Sequence, residues 1–267
     1  MKLLHVATIA GIVGLAAAMS AFGGEAAPPP ACPPPAAPEA AAPPALDPET
    51  DRVLDGMDAE GRKVTSLAAK FDYELNQTLF EDIKKRAGTV VFRMPNDFKF
   101  EFTSGEKETF VFDGRVLYHK KDPTKQLVIW EVRTPQEPPV ESFELGKTPF
   151  PLPFGQKKET VLKYFDVSRD KAEEAKDKAK RAVLALVPKE GTAISRDYEK
   201  IVLWIETKTY LPTRVRLFDR SENITTIDFH HIDTKAKVDN KTFARPAVPA
   251  DWEVVLHPKE PAGAEGK

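Results

Sequence analysis

The chain has 267 residues, of which 41% are hydrophobic and 30% charged, and its formal net charge at pH 7 is −2. This length allows one sizeable hydrophobic core, and the near balance of interspersed basic and acidic residues argues against a nucleic-acid-binding surface. The single cysteine, Cys32, excludes an internal disulfide and any metal site built from several cysteines.

Residues 1–23 have the pattern of a secretory signal peptide. Lys2 supplies the positive charge, residues 6–18 form a run of apolar and small side chains, and Ala21-Phe22-Gly23 offers small residues at a cleavage site. We expect this segment to be removed from a mature protein that works outside the cytoplasm. An uncleaved membrane anchor is the alternative, although the run is short for a membrane span.

Residues 24–46 consist mostly of Ala and Pro and predict an extended spacer without a core of its own. The spacer is either a passive linker or a segment that a proline-binding partner recognises. We expect Cys32 within it to be unmodified, because Pro29-Pro30-Ala31 does not match the residues that precede a lipidated cysteine. At the other end of the chain, residues 258–267 are predicted to be a disordered tail.

A helix is predicted after the spacer. Asp47-Pro48 is a typical helix start, with a capping acid followed by proline at the first helical position. The apolar residues that follow at roughly helical spacing are Val53, Leu54, Met57, Val64 and Leu67. Residues 69–76 then alternate strictly between apolar and polar side chains, which predicts the first strand.

Residues 88–132 continue this alternation and predict an antiparallel meander with an aromatic face. The first hairpin turns at Pro95-Asn96-Asp97, between strands that carry Phe92 and Phe98. The second turns at Asp113-Gly114, a dipeptide suited to the positive backbone angles of a type I′ turn. The predicted strand segments are 90–94, 98–102, 110–112, 116–118 and 126–132.

The stretch 134–165 interrupts the strand pattern. Prolines at 149, 151 and 153 exclude a central strand and surround Phe150, Leu152 and Phe154. We predict that these three apolar side chains form a lid over the aromatic face; a surface loop that packs its own phenylalanines is the alternative. A short helix is predicted over 157–165.

Strand patterns resume in the segments 182–187, 201–205, 212–218 and 224–232. Residues 170–181 favour helix by propensity but lack an apolar stripe, so they are either a helix or a solvated strand end. The strands are too many for a small open sheet, so the sheet must curl or split in two. The predicted fold class is mainly β (α+β), a curved antiparallel sheet with a few helices.

The sequence contains no glycine-rich phosphate loop, no HExxH motif and no nucleophile elbow. The adjacent pair His230-His231 points to opposite faces of a strand and cannot readily share a metal. His119 stands beside Lys120 and Lys121, so we expect it to be solvated. We therefore expect a protein that is not an enzyme and that needs neither a cofactor nor a metal.

Several short motifs follow one another in a fixed order over roughly residues 46–256. They are FDYELNQ at 71–77, Gly88, Pro95, Phe98, Phe112-Asp113-Gly114, Gln126, Thr148-Pro149-Phe150, Leu211-Pro212, Arg214-Val215, Val238-Asp239, and Phe243 before Pro249. This ordered set resembles the bacterial outer-membrane lipoprotein carrier family, LolA. No single motif is unique to the family, so the resemblance rests on their order.

The resemblance implies an unclosed antiparallel β-barrel over residues 47–257, with an apolar concave face covered by an N-terminal helix and short lid helices. Such a domain shields lipoprotein acyl chains, or another lipid, in the periplasm. It would act as a monomer, between an inner-membrane donor and an outer-membrane acceptor protein. The candidate cavity residues are Phe71, Tyr73, Leu75, Phe92, Phe100, Phe110, Phe112, Trp130, Leu203 and Ile205, with Phe150, Leu152 and Phe154 in the lid.

One alternative and one departure accompany this expectation. The alternative is a non-catalytic lipid-sensing or protein-interaction domain of the same fold, with its cavity filled by side chains. The departure concerns an arginine that the family's carriers place directly before the hairpin proline that corresponds to Pro95, where it helps to hold the lid closed. Here that position is Met94, and Arg93 is predicted to lie on the opposite face of the strand.

Overall fold

A single sheet of 12 strands dominates the structure, a computed structural model that describes residues 46–138 and 153–259. The described residues all belong to one compact unit, Ala45–Lys267. The strand order is β12-β6-β5-β4-β3-β2-β1-β11-β10-β9-β8-β7. Because β12 and β7 do not pair with each other, the sheet is curved but unclosed, as predicted.

The strands are β1 (Ser66–Gln77), β2 (Asp82–Arg93), β3 (Asp97–Phe102), β4 (Glu108–Asp113), β5 (Val116–Lys121), β6 (Gln126–Glu131), β7 (Phe165–Arg169), β8 (Ala182–Pro188), β9 (Tyr198–Ile205), β10 (Pro212–Asp219), β11 (Asn223–Asp233) and β12 (Glu253–His257). The helices are α1 (Pro48–Gly61), α2 (Lys158–Tyr164), α3 (Lys171–Lys176) and α4 (Ile194–Asp197), with 3₁₀ turns at Thr78–Phe80 and Asn240–Phe243. Neighbouring strands are antiparallel except β12 and β6, which are parallel.

Helix α1 begins where the sequence predicts it. The Asp47 carboxylate accepts a hydrogen bond from the backbone N–H of Thr50 at 3.2 Å, and Pro48 occupies the first helical position, where its missing N–H costs nothing. The helix ends at Gly61. The spacing had assigned Val64 and Leu67 to the apolar stripe of this helix. Val64 instead lies in the connection after α1 and Leu67 in β1, and both are buried.

The meander forms as predicted, but its second turn differs from the predicted type. Gly114 has a φ of 85°, whereas Asp113 ends β4 in extended geometry and has no positive φ. The Asp113 carboxylate instead accepts hydrogen bonds from the backbone N–H groups of Arg115 (2.9 Å) and Val116 (2.8 Å). Side-chain capping thus takes the place of a second left-handed residue.

The structure adds two strands that were not predicted and settles the ambiguous charged segment. The two strands are β7 and β12, and β12 reaches β6 only after a long connection. Residues 171–176 of the ambiguous charged segment form helix α3, whose N-cap Asp170 accepts a hydrogen bond from the backbone N–H of Glu173. The helix lies along β8, where the Glu174 carboxylate accepts a hydrogen bond from the backbone N–H of Val183 at 2.7 Å.

The long connection between β11 and β12, residues 234–252, is called the strap. It crosses the sheet on the face opposite Phe71. At its start the carbonyl of Ala236 accepts a hydrogen bond from Ser66 (2.7 Å), and at its end Trp252 lies under the Lys120 ammonium (5.2 Å). Between these points Phe243 is buried against β3 and β4. The strap therefore covers part of this outer face and delivers β12 to the sheet edge.

The main hydrophobic core lies on the other face, which carries Phe71 and is called the inner face. Side chains of nearly every strand contribute to it, together with Val53, Leu54 and Met57 of α1. A small second cluster on the outer face consists of Val183, Val202 and Trp204, with the Arg214 and Arg216 guanidinium groups 5.4 and 5.1 Å from the Trp204 ring. The inner face is thus the larger apolar surface of the molecule.

Candidate functional site

All ten candidate cavity residues lie on the inner face, because strand pairing carries one set of side chains across the whole sheet. One cross-strand row runs from Phe92 through Phe98, Phe112 and Leu117 to Trp130. A second row runs from Tyr73 through Ile227, Val215 and Leu203 to Leu184. The candidate residues therefore belong to one continuous apolar surface.

Aromatic rings fill the middle of the inner face. Phe71 stacks on Phe100 with ring centroids 4.0 Å apart, and Phe102 meets Phe71 and Tyr73 edge to face, each at 5.4 Å. Edge-to-face and offset stacked contacts stabilise aromatic pairs beyond the burial of their area. Phe98 and Phe112 form a further pair at 5.7 Å. The middle of the inner face is therefore a cluster of closely packed aromatic rings.

The exposure of the ten residues differs along the face. Phe71, Phe92, Phe100, Phe110, Phe112, Leu203 and Ile205 are buried, whereas Tyr73, Leu75 and Trp130 are half-buried. Tyr73 and Leu75 lie towards the end of β1 at the β1–β2 hairpin, and Trp130 lies near the end of β6. The inner face is therefore closed at its middle and more accessible at these strand ends.

Helix α1 and the segment that leads into α2 pack on the inner face and contribute to its core. Gly56 of α1 packs so closely against the ring of Tyr210 that a Cβ there would lie 2.2 Å from Tyr210 Cδ1. Phe154 is buried and meets the ring of Phe229 at 5.0 Å. Of the three predicted lid residues, only Phe154 can be placed, since Phe150 and Leu152 lie outside the described residues.

Ion pairs join the covering elements to each other. Lys158 of α2 reaches Asp51 (2.7 Å) and Asp55 (2.6 Å) on α1, and these carboxylates raise the pKa of the Lys158 ammonium. Arg169 of β7 lies 3.7 Å from Glu49 at the start of α1. Helices α1 and α2 are thus linked as a pair, mostly through solvent-facing charges.

Met94, the residue before Pro95, contacts the segment that leads into α2. The Met94 sulfur lies beside Gly155, where an added Cβ would be 3.2 Å from Sδ. Arg93 is on the outer face, where it donates to Asp97 and to Asn240 and lies 4.7 Å from the Phe243 ring. Arg93 therefore holds the strap, and the covering segment meets a methionine.

A polar group interrupts the inner face beside the aromatic rings. The Arg86 guanidinium lies 3.7 Å from the Phe102 ring centroid, and its Nη1 is 3.4 Å from Glu108 Oε2. His119 Nε2 is 3.5 Å from the same carboxylate oxygen, a long contact. The interaction with His119 lowers the pKa of Glu108, with a further contribution from Arg86, and burial opposes the shift.

The solvated role expected for His119 is wrong. Its ring stacks on Phe110 at 3.8 Å and on Trp130 at 6.1 Å, and Trp130 stacks in turn on His257 at 5.6 Å. The lysines beside it in sequence misled the prediction, because alternation places Lys120 on the outer face and His119 on the inner face. Counting alternate residues from Phe110 and Leu117 would have identified its side.

Sequence reasoning left out several inner-face residues that contribute as much as the candidates. They are Leu67, Ala69, Val90, Phe98, Phe102, Leu184, Leu186, Val215, Leu217, Ile227 and Phe229. The alternation had already placed Phe98 and Phe102 on the same side of β3 as Phe100. It likewise placed Ala69 on the side of Phe71 and Val90 on the side of Phe92, whereas Leu67 was assigned to the helical stripe. The remaining residues lie on β8, β10 and β11, whose register with β1 cannot be read from one sequence.

The outer face carries an open depression of about 510 Å³ across β2, β1, β11 and β10. Its lining is charged, and its charges pair with one another: Arg214 with Asp228 at 2.5 Å and Lys85 with Glu74 at 3.1 Å. Such a surface offers little to an apolar ligand. Within 46–138 and 153–259, no group of three or more His, Cys, Asp or Glu side chains is arranged to hold a metal ion.

No helix within the described ranges is both long and apolar enough to span a bilayer.

A family model, described as outer membrane lipoprotein carrier protein LolA, matches residues 62–246. The match includes every strand from β1 to β11. Among curated proteins, none matches this chain.

Several solved structures are similar in fold at low sequence identity. An uncharacterised conserved protein from Thermus thermophilus is 13% identical, with a TM-score of 0.45 over 78% of this chain and 99% of that one. A LolA superfamily protein from Nitrosomonas europaea is 10% identical, with a TM-score of 0.39 over 73% and 97%. Pseudomonas aeruginosa MucB in complex with MucA is 14% identical, with a TM-score of 0.41 over 74% of this chain and 61% of that one.

Proposed function

Because the chain belongs to the LolA family of outer membrane lipoprotein carrier proteins, we propose that it is a periplasmic carrier that binds acyl chains on its inner face. The cargo is the acyl chains of lipoproteins or of another lipid, moved from an inner-membrane donor towards an outer-membrane acceptor. The carrier performs no chemistry on its cargo and acts as a monomer.

The observation that carries this proposal is the extent of the apolar surface on the inner face, which the pair of Arg86 and Glu108 interrupts beside Phe102. Apolar side chains follow one another across the sheet without a charged residue between Phe92 and Trp130 in one row and between Tyr73 and Leu184 in the other. An acyl chain needs an extended apolar surface of this kind, since each CH₂ group withdrawn from water contributes about 0.8 kcal/mol. The outer face, with its paired charges and strap, offers no equivalent.

Binding requires the cover to move, because most of the rings beneath it are buried. Helices α1 and α2 contact each other directly and are also joined by the ion pairs of Lys158 with Asp51 and Asp55, so the two helices would lift as one unit. Exposed ion pairs contribute little, typically about 0–1 kcal/mol each, so the apolar contacts of α1 set the cost of opening. An acyl chain that replaces those contacts offsets that cost.

Met94 gives this cover an apolar hold in place of an arginine. A thioether packed against Gly155 has no directional partner to break when the segment moves, and it adapts to a flexible acyl chain.

The half-buried Tyr73 and Leu75 give an acyl chain its first contact with the inner face at the β1–β2 end. We therefore expect a chain to enter at that end.

A fluorescent fatty acid titrated into the processed protein tests the proposal. Leu75→Asn should weaken binding several-fold, whereas Ile224→Asn should leave it unchanged. The two residues are matched, since both are half-buried and lie on neighbouring strands, Leu75 on the inner face and Ile224 on the outer face. No uptake by the native protein, or equal effects of both variants, would contradict binding at the inner face. Native mass spectrometry of protein purified from its host then identifies the bound lipid or acylated protein.

The burial of the inner-face rings favours a second candidate, a lipid-sensing or protein-interaction domain whose core is filled by its own side chains. In that case the exposed edges of the sheet or the proline-rich spacer would contact a protein partner. The same titration separates the two functions, because a filled core takes up no fatty acid while the native protein still binds its partner.

A further inference from the structure

The β1–β2 hairpin ends in an apolar tip formed by Leu79, Phe80 and Ile83. Their exposed fractions are 66%, 75% and 54%. Of the seven large hydrophobic residues exposed in the described part of the chain, three are gathered at this one turn. Single exposed apolar residues are ordinary, but a cluster that includes an aromatic ring marks a contact surface.

The tip projects from a corner of the sheet. Strand β2 pairs with β1 as far as Asp82 opposite Gln77, but it pairs with β3 only from Gly88 to Arg93. On this side the β3–β4 loop continues beside β2, since Thr103 and Ser104 donate backbone hydrogen bonds to the Ala87 carbonyl and Gly105 lies beside Arg86. Only residues 82–84 of β2 therefore project beyond it, while on the other side β1 stays paired with β11 as far as Gln77 opposite Asn223. A 3₁₀ turn at Thr78–Phe80 closes it, with Glu81 in the left-handed region (φ 51°). The apolar side chains thus stand at an exposed corner of the sheet.

The charges next to the tip suit the surface of a bilayer. Lys84 and Lys85 follow it on β2, both largely exposed, at 3.8 Å from Asp82 and 3.1 Å from Glu74 respectively. Lysine side chains at a lipid surface lay their methylene groups along the apolar layer and raise their ammonium groups to the phosphates. The neighbouring carboxylates keep the tip close to neutral, so apolar insertion and not charge would supply most of the binding.

We propose that this hairpin tip inserts into the headgroup region of a phospholipid bilayer and docks the protein there. An exposed tip of only three apolar side chains fits a soft, deformable surface better than a protein site, which usually buries at least about 1,000 Å² in total. Tyr73 and Leu75 lie on the inner face of the same hairpin. The proposal rests on the proposed function, since a docked tip brings this accessible end of the inner face to the membrane.

Co-sedimentation with vesicles of phosphatidylethanolamine and a minor fraction of phosphatidylglycerol tests the docking. We expect the processed native chain to bind, and Leu79→Ser combined with Phe80→Ser to lower the partition coefficient about tenfold or more, because each apolar side chain contributes on that order. Val187→Ser is the matched control, since Val187 is 47% exposed at the other end of the sheet. It should bind like the native chain.

Absence of vesicle binding by the native chain, or unchanged binding by the double variant, would overturn the proposal. A double variant that keeps vesicle binding but loses delivery to a membrane protein would also overturn it and identify the tip as a protein contact. Uptake of a fluorescent fatty acid in solution is measured in parallel. The tip variant should retain that uptake, so a failure of docking is distinguished from a failure of lipid binding.

Discussion

Gly88 of β2 lies directly beneath the ring of Phe71, so that a Cβ at position 88 would be 2.4 Å from Phe71 Cζ. The same Cβ would lie 2.1 Å from the carbonyl oxygen of Glu101 on β3. The missing side chain lets Phe71 of β1 reach over β2 and stack on Phe100 of β3. A glycine inside a strand, ordinarily unfavourable, is what allows the central aromatic cluster to form.

Gly88→Ala should therefore destabilise the protein by about 1–3 kcal/mol or more, the usual cost of overpacking a core. The clash involves backbone and a ring held by other rings, so local adjustment cannot relieve it cheaply. Thermal and urea unfolding measure the change. Lys85→Ala on the same strand is the control, because Lys85 is exposed and its removal should have little effect. Equal stability of the two variants would show that the cluster is looser than the structure indicates.

The period-two alternation of residues 66–131 is enough to predict β1 to β6 and to sort their side chains into two faces. That is why the eight candidate residues from Phe71 to Trp130 lie on one surface. Leu203 and Ile205 are on β9, and they join this surface through the pairing of β1, β11, β10 and β9. The sequence does not reveal β12, because a short parallel strand reached through the strap depends on long-range pairing. It also does not reveal burial: alternation identifies the face of Phe100, but only tertiary packing shows that Phe100 is fully buried, in a core to which α1 also contributes.

That burial changes how the inner face should be tested. Phe100 is fully buried among other rings, so a charged residue there would be buried without a partner. We expect Phe100→Asp to prevent folding, and Phe100→Ala to fold with a loss of about 3–5 kcal/mol, the cost of removing a buried aromatic ring. Circular dichroism and urea unfolding check both. A folded, stable Phe100→Asp variant would indicate that water or ligand reaches this position in the resting protein.

Arg93 should hold the strap to the sheet. It donates to Asp97 on β3 and to Asn240 in the strap, and it lies over the Phe243 ring. Arg93→Ala removes charge-assisted hydrogen bonds and a cation–π contact, so we expect a loss of about 1–3 kcal/mol and faster proteolysis within 234–252. Arg62→Ala is the control, because Arg62 makes one exposed ion pair with Asp58 on α1 and should leave cleavage of the strap unchanged. Proteolysis that is insensitive to Arg93→Ala would contradict this anchoring role.

Glu108 should make stability depend on pH in the acidic range. Its interaction with His119, assisted by Arg86, lowers its pKa in the folded protein below the ordinary value of 4.5, which applies to the unfolded chain. A lowered folded pKa means that the unfolded state binds the proton more readily, so the stabilisation is fully present above pH about 4.5 and is lost as pH falls through the folded pKa. Glu108→Gln should therefore be less stable than the native protein at neutral pH, with the difference shrinking in acid. Urea unfolding from pH 7 down to about pH 3 measures this change.

Glu101→Gln on β3 is the matched control. A constant difference in stability between Glu108→Gln and the native protein at all pH values would show that the Glu108 carboxylate contributes by packing alone.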